Sequence, residues 1–421
     1  MIRSTLAALM ATVSLGYMAQ AQSVTVTNAK LWTGNEVVED ATVVITDGTV
    51  VSAGADITLP EDAQPLDAEG AWVTPGIFSA FSRTGIVEVG AETTTNDTLA
   101  PQSTFGAALD MADAFNPNAT TVPVTRIEGV TRIAVAPGFG SGMFGGRGLI
   151  ADTSGDANSV TASQAFSFIN IGEGGAALTG GSRPATWATL RGALEDARTY
   201  PARYNALEDG DVLNRLDAAA LAPASRGQQL LLIAASRASD LRNVIALKEE
   251  NPQLNIALVG AHEGWMVAEE LAAADIPVII DPYANLPGRF ESLGATQHNA
   301  ERLIDAGVTT ALAYLDDDSH QARLVLQSAG NAVANGVSHD NALRAITSAP
   351  ADIFGMDGLG TVEPGSRGDL VIWDGDPLDV MSAPVSVFID GVEQSLESRQ
   401  TELRDRYLTL DESERPLAYR R

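Results

Sequence analysis

The sequence of 421 residues contains no cysteine. A chain without cysteine has no disulfide framework, no thiolate nucleophile and no thiolate ligand for a metal. Histidine is scarce as well, because the chain has only four: His262, His298, His320 and His339. Any site that uses imidazole as a base or as a metal ligand must take it from these four side chains.

Basic residues are few in comparison with acidic ones. The chain has 26 Lys and Arg against 54 Asp and Glu, which gives a formal net charge of −28. Such a field repels nucleic acid and anionic lipid, so both are excluded as partners. Acidity of this kind indicates a solvated surface and is not in itself a sign of a metal site. We expect a small-molecule substrate or ligand, and the sequence is compatible with a monomer or a homo-oligomer.

A long apolar run is also lacking. The run at residues 6–18 follows Arg3 and spans about 13 residues, whereas a membrane-spanning helix needs about 20. Residues 19–21, Ala-Gln-Ala, form a small-x-small cleavage signal. This pattern predicts a secretory signal peptide that is cleaved after Ala21 and a mature protein in the periplasm or outside the cell, with no membrane span.

Both ends of the mature chain are rich in β-branched residues. The dipeptide Asp47-Gly48 separates two such runs and predicts a tight hairpin. Two strand-rich ends around a different middle predict one β-unit built from both termini. The predicted strands are residues 24–27, 41–46, 49–53, 369–373 and 385–389.

The middle of the chain alternates apolar runs with amphipathic stretches. This rhythm predicts parallel strands joined by helical crossovers, and it fits an open sheet and a closed barrel equally well. The predicted strands are residues 132–136, 229–234, 254–259, 276–280 and 309–313. The predicted helices are residues 238–250, 263–274, 295–306, 319–335 and 340–347.

A glycine-rich segment, residues 137–148, contains the spacing Gly140-x-Gly142-x-x-Gly145. A dinucleotide-binding turn of this kind opens a helix, whose N-terminus holds the pyrophosphate. Here another strand-like run, residues 149–151, follows instead. The segment is therefore interpreted as an active-site or surface loop.

Three stretches together resemble the amidohydrolase superfamily. Residues 70–77, GAWVTPGI, resemble the approach to its first barrel strand, and residues 359–371, LGTVEPGSRGDLV, resemble its return to the β-domain. Residues 345–351, AITSAPA, resemble the helix before that return. The similarity covers nearly the whole mature chain and is greatest to the imidazolonepropionase-like branch.

The resemblance implies a (β/α)8 TIM-type barrel with a small composite β-sandwich formed from both ends of the chain. The domains would be the signal peptide at 1–21, the β-sandwich at 22–75 and 356–395, the barrel at 76–355 and a charged tail at 396–421. It also implies hydrolysis of carbon–nitrogen bonds in amides or cyclic amides. One or two divalent metals would lower the pKa of a bound water and polarise the carbonyl.

The usual metal ligands of that family are largely replaced. Its His-x-His at the end of the first strand is Phe81-Ser82-Arg83 here, and neither an aromatic ring nor a guanidinium coordinates a cation. The strand ending at residues 232–236 has Ala and Ser where an imidazole is expected. His262 follows the next strand, displaced by two positions. After the last strand, residues 316–320, DDDSH, supply carboxylates and one imidazole.

Two functions follow as hypotheses. In the first, the protein is a hydrolase with a reduced site, in which His262, Asp316 and His320 hold one zinc-like divalent metal and Asp316 is the general base, or no metal is used. In the second, the barrel is a catalytically inactive pseudoenzyme that binds a ligand. Phe81 and Arg83 would then contact a ligand with an apolar part and a carboxylate.

Several of these residues have a simpler interpretation. Asp316 and its two acidic neighbours also suit a helix N-terminus. His298 lies within a helical pattern, His339 precedes a helix, and Glu88 is a candidate to neutralise Arg83. Serine chemistry has no sequence support, since there is no Gly-x-Ser-x-Gly motif and the isolated serines have no evident base partner. These isolated serines are Ser79, Ser82 and Ser319.

Overall fold

The computed structural model describes residues 23–60, 63–205, 210–315 and 321–408, together with residue 413. The predicted signal peptide, Asp316, His320 and much of the predicted tail lie outside the described residues, so those expectations stay predictions. Within the described part of the chain, no helix is long and apolar enough to cross a membrane.

The described strands and helices alternate in the middle of the chain and are mostly strands at its ends. The strands are β1 (Ser23–Trp32), β2 (Val37–Thr46), β3 (Thr49–Gly54), β4 (Pro65–Asp67), β5 (Trp72–Pro75), β6 (Ile77–Ser82), β7 (Val130–Val135), β8 (Phe144–Asp152), β9 (Val160–Asn170), β10 (Leu230–Ala235), β11 (Ile256–Gly260), β12 (Val278–Ile280), β13 (Thr310–Leu312), β14 (Leu370–Trp373), β15 (Pro384–Ile389) and β16 (Val392–Glu393). The helices are α1 (Thr121–Arg126), α2 (Glu173–Leu178), α3 (Arg183–Thr199), α4 (Ala202–Asn205), α5 (Arg215–Ser225), α6 (Ala238–Glu250), α7 (Ala268–Ala273), α8 (Asn299–Asp305), α9 (Val325–Ala334), α10 (His339–Ala345), α11 (Ser348–Phe354) and α12 (Arg399–Leu408).

One sheet combines both ends of the chain, as predicted. Its order is β16-β15-β14-β5-β1-β2-β3, with β4 also paired to β1, and the two ends join where β5 pairs antiparallel with β14. Asp47 and Gly48 connect β2 to β3 with φ of 48° and 76°, which is the left-handed backbone that a tight hairpin turn requires. The segment before β14 also contacts the hairpin, because the Gly368 N–H donates to the carbonyl of Gly48 at 2.7 Å.

The second sheet is a nearly closed barrel of eight strands in the order β13-β12-β11-β10-β9-β8-β7-β6. The sequence rhythm fitted an open sheet and a closed barrel equally well, and the structure shows the barrel. One strand departs from the expected all-parallel arrangement, because β8 is antiparallel to both β7 and β9. The loop between β7 and β8 is too short for a crossover helix, so the chain can only turn back. The glycine-rich segment forms this loop and the start of β8, and not a phosphate-binding turn before a helix.

Alternate side chains on each barrel strand face the interior or the surrounding helices. On β10, Leu230 and Leu232 belong to the inner core, whereas Leu231 and Ile233 pack in the layer between strands and helices. The half-buried Phe354 of α11 packs against this inner core, and its ring lies 5.9 Å from Phe78 and 5.4 Å from Phe166. The barrel interior is therefore filled with side chains at this level.

A buried ion-pair network joins the barrel to the β-sheet. Arg132 on β7 is 1% exposed, and its Nε and Nη2 donate to Asp369 at 2.6 and 2.9 Å. Asp390 accepts from the same guanidinium at 2.9 Å, and Asp152 lies 3.7 Å from it. Burial alone would lower the pKa of Arg132, but the three carboxylates hold it above its usual value. Burial would likewise raise the pKa of Asp369, whereas Arg132 and the hydrogen bonds to Asp369 hold it below its usual value.

Candidate active site

A cavity of about 650 Å3 lies at the carboxyl ends of the barrel strands. Residues at or just beyond the ends of β6, β9, β10, β11, β12 and β13 line it, and the segment 281–292 forms one wall. This is the face at which barrel enzymes place their chemistry, because several strand ends converge there. The cavity is therefore the candidate active site.

The floor of the cavity is aromatic. Phe81 at the end of β6 is 5% exposed, and its ring meets Phe168 of β9 edge-on at 5.4 Å. Phe139, from the glycine-rich loop, lies 4.7 Å from the same Phe168 ring. Phe81 lines the cavity, and its contact with a ligand stays a prediction. This surface suits the apolar part of a ligand.

The cavity contains a serine–histidine pair. The Ser236 hydroxyl and Nδ1 of His262 are 2.9 Å apart, and both residues line the cavity. Gly260 and Ala261, with φ of 98° and 37°, form the turn that carries His262 inward from β11. This strained turn is supported, because the buried Asn299 amide donates to the Ala261 carbonyl at 3.0 Å.

The imidazole of His262 is held in its neutral form. Burial lowers the pKa of His262 below its usual value, and the positive charge of Arg289 lowers it further, while Glu263 opposes both. The usual pKa of a histidine side chain is 6.5, so one ring nitrogen of His262 is unprotonated at neutral pH. A neutral imidazole can accept a proton during a reaction.

Two arginines line the same cavity in a strongly acidic chain. Arg83 is half-buried at the end of the first barrel strand, and Arg289 is exposed in the segment 281–292. A guanidinium pairs with a carboxylate through two parallel hydrogen bonds. These guanidinium groups can face an anionic ligand, while the lining carboxylates of Asp281 and Glu291 accept hydrogen bonds from backbone N–H groups. The role of Arg83 in binding a ligand stays a prediction.

The carboxylates at the cavity hold backbone in place. Asp281 is buried, and its two oxygens accept from the N–H groups of Tyr283 and Leu315, both at 2.9 Å. Glu291 is also buried and accepts from the Glu173 N–H at 2.6 Å. These bonds fix the segment 281–292 over the barrel mouth.

The described residues of this site do not supply a ligand set for a divalent metal. Within the ranges that the structure covers, no group of three or more His, Asp or Glu side chains is placed to hold one. The oxygens of Asp281 already accept backbone hydrogen bonds. Asp316 and His320 lie outside the described residues, so the trio of His262, Asp316 and His320 stays a prediction.

The remaining sequence candidates lie away from the cavity lining. His298 precedes α8 and bonds Glu301 at 3.0 Å through Nδ1, while His339 begins α10 and bonds Asp376 at 3.0 Å. Glu88 accepts from the Asn116 side chain at 2.7 Å and also from a backbone N–H. All three have structural partners outside the cavity.

Sequence reasoning missed Ser236 as a partner of His262, and it missed Arg289 altogether. Ser236 follows a predicted strand directly, so its position at a strand end was the available signal. Arg289 lies in a segment without helical or strand periodicity, and nothing in the sequence places it near His262. Asn170, which also lines the cavity, ends a strand that was not predicted.

Residues 253–395 match the amidohydrolase family, and this region includes His262 and the return to the β-sheet. The chain is related to the amidohydrolases. A curated relative, amidohydrolase tasK of Hapsidospora irregularis, is 27% identical over 396 residues, which cover 86% of this chain. The aligned region is 40% of that relative, so this amidohydrolase-like chain spans about two fifths of its length.

Solved amidohydrolase structures share the fold. An amidohydrolase from Thermotoga maritima superimposes with a TM-score of 0.79 at 24% identity, covering 88% of this chain and 99% of that one. N-isopropylammelide isopropylaminohydrolase from Burkholderia multivorans gives a TM-score of 0.52 at 13% identity, with coverage of 88% and 98%. The TIM-type barrel with a separate β-rich domain is thus the architecture of this chain. Its assignment to the imidazolonepropionase-like branch stays a prediction.

Proposed function

We propose that this amidohydrolase-like chain is a hydrolase that acts, after export, on a carbon–nitrogen bond of a small amide carrying a carboxylate. The observation that supports this proposal is the cavity itself, in which a neutral His262 lies beside Ser236 and two arginines. The family relationship supports a carbon–nitrogen bond as the target, and the site residues support an anionic substrate.

The substrate features follow from the lining of the cavity. Arg83 and Arg289 favour a carboxylate, because charge-assisted pairs with guanidinium are the strongest that a carboxylate makes with a side chain. The Phe81 and Phe168 rings favour an apolar group next to the amide. A cavity of about 650 Å3 is in the size range of small-molecule sites. Short N-acyl amino acids with an apolar side chain combine these features.

The chemistry available from the described residues is proton transfer. His262 can take a proton from an attacking oxygen and return it to the leaving nitrogen, which a neutral imidazole does at neutral pH. The guanidinium groups can stabilise negative charge that develops on the carbonyl oxygen. Amidohydrolases typically use divalent metals, but the described residues do not fit one, and no step here depends on it.

The test is a substrate panel with a matched control. The mature chain, prepared without a His-tag, is incubated with N-acyl amino acids and with the same amides whose carboxylate is replaced by a carboxamide, and released amine is measured. We expect hydrolysis of the carboxylate series, a loss of activity of about 100-fold or more in His262→Ala, and unchanged activity in His298→Ala. No amine release from any compound would contradict the proposal.

A second function is supported by the residues Phe81-Ser82-Arg83, which stand where the resemblance leads us to expect a His-x-His motif. In this alternative, the chain binds a carboxylate ligand without turning it over. Calorimetric titration of the same panel of compounds distinguishes the hydrolase from the binding protein. Binding that Arg83→Ala weakens, without any release of amine, supports the binding protein.

A further inference from the structure

We infer that Ser236 is the nucleophile of this hydrolase and that His262 is its general base, so that the reaction passes through an ester between the acyl group and Ser236. The inference rests on the proposed function and gives it a covalent route. Neither the family relationship nor the sequence motifs point to serine chemistry.

The geometry of the pair is that of an activated hydroxyl. Ser236 Oγ lies 2.9 Å from Nδ1 of His262, within the range in which a base removes a hydroxyl proton. Both side chains line the cavity, so an amide bound there can reach the hydroxyl. Ser236 is a lining hydroxyl that bonds the imidazole of His262.

Backbone contacts hold the two residues in register. The Glu263 N–H donates to the Ser236 carbonyl at 3.0 Å, and the Ala261 N–H donates to the Ala235 carbonyl at 2.7 Å. The buried Glu263 side chain adds a further connection, because it accepts from the Ala238 N–H at the start of α6 at 2.9 Å. The distance between hydroxyl and imidazole is therefore set by rigid strand ends, as preorganised catalysis requires.

The surroundings suit the charges that acyl transfer creates. Arg289 lies close enough to His262 for its charge to act on the imidazole, and Arg83 lines the same cavity. Positive groups near the reacting carbonyl stabilise the oxyanion of a tetrahedral intermediate. Ser236 and His262 are therefore a nucleophile and a base that lie beside groups able to stabilise the oxyanion.

The reaction balances with water as the second substrate. Ser236 Oγ bonds to the amide carbon while its proton moves to Nδ1 of His262; the carbon–nitrogen bond then breaks as that proton passes to the leaving nitrogen. Water next attacks the ester carbon and gives a proton to His262. The bond from carbon to Oγ breaks, the proton returns to Oγ, and the carboxylic acid leaves.

The first test is covalent labelling, which does not require a known substrate. A small alkyl fluorophosphonate forms a bond from phosphorus to an activated serine oxygen and loses fluoride. We expect one label per chain by intact mass, located at Ser236 by peptide mapping. Labelling should disappear in Ser236→Ala, slow by about 100-fold or more in His262→Ala, and stay unchanged in the exposed-serine control Ser395→Ala.

The second test uses the absence of cysteine from the chain. S236C introduces the only thiol, and its alkylation by iodoacetamide at pH 7 reports the influence of His262 directly. We expect S236C to react faster than S236C/H262A, and S395C to react at the same rate with or without His262. This measurement remains informative if Ser236→Ala does not fold.

The outcomes of these tests distinguish the inference from the proposed function. Amide hydrolysis that persists in a folded Ser236→Ala variant overturns the serine nucleophile and leaves the hydrolase intact. An unlabelled Ser236, together with equal thiol rates in S236C and S236C/H262A, also overturns it. A labelled Ser236 without hydrolysis of any amide in the panel supports the activated serine and contradicts only the choice of substrate.

Discussion

Arginine serves two regions of this molecule in different ways. Arg132, between the barrel and the β-sheet, is almost completely buried and is surrounded by three carboxylates. Arg83 and Arg289 lie instead at the barrel mouth, where they line a cavity large enough for a small molecule. A buried charge that is paired with several carboxylates has a structural role. Arginines that line an open cavity are placed where they can contact what the cavity binds.

The largest effect should come from removing the buried arginine. Arg132→Met would leave Asp369 buried without its counter-charge, which typically destabilises a protein by about 3 to 5 kcal/mol. Urea unfolding of the variant and the parent measures the loss. Arg242→Met, which removes the guanidinium from an exposed pair with Glu270, is the control and should have a much smaller effect. Equal losses in both variants would contradict a special role for the buried network.

The next effect concerns substrate selection. Arg83→Ala should lower kcat/KM for a carboxylate-bearing amide by about 10- to 100-fold, because a charge-assisted hydrogen bond is lost from a half-buried site. Activity on the carboxamide analogue should fall less, because Arg83 can act there only on the carbonyl oxygen, and steady-state kinetics on the two substrates tests this. An equal fall in kcat/KM for both substrates would show that Arg83 supports the structure of the cavity and does not bind the carboxylate.

A smaller effect should appear in Arg289→Ala. Because Arg289 is exposed, its contribution to substrate binding is screened, and we expect a loss of about twofold to fivefold that shrinks as salt is added. The pKa of His262 should rise in this variant, since the charge of Arg289 lowers it. Titration of the imidazole by NMR measures the shift. An unchanged His262 pKa would mean that the two groups do not interact.

The smallest expected effect is a change in the acid dependence of stability. The pKa of Asp369 is held below its usual value of 3.8, so the unfolded chain takes up its proton first as the pH falls. The stabilisation by Asp369 is therefore present above pH 3.8 and is lost as the pH falls through the lowered folded value. Asp369→Asn should show a shallower fall of unfolding free energy in acid. If the unfolding free energy of the variant falls with pH as steeply as that of the parent, groups other than Asp369 cause the loss of stability in acid.

Local chemistry was the reliable part of the sequence-based prediction. Asp47-Gly48 predicted a hairpin because few dipeptides adopt two successive left-handed conformations, and the structure confirms it. The helix predicted at residues 238–250 coincides with α6. Phe81 and Arg83 lie at and just beyond the end of β6, where position along the chain determines position in the barrel. In each case, the information lies within a few neighbouring residues.

Contacts between distant residues were decided only by the tertiary structure. Ser236 and His262 meet because β10 and β11 pair in a register that sets Ala235 beside Gly260. Arg132 and Asp369, 237 residues apart, meet because β5 and β14 join the two ends of the chain beside β7. By itself, the sequence determined most of the strands, the hairpin and the acidic composition. Which side chains face each other depends on strand register, barrel closure and burial, because these arise from packing over the whole chain.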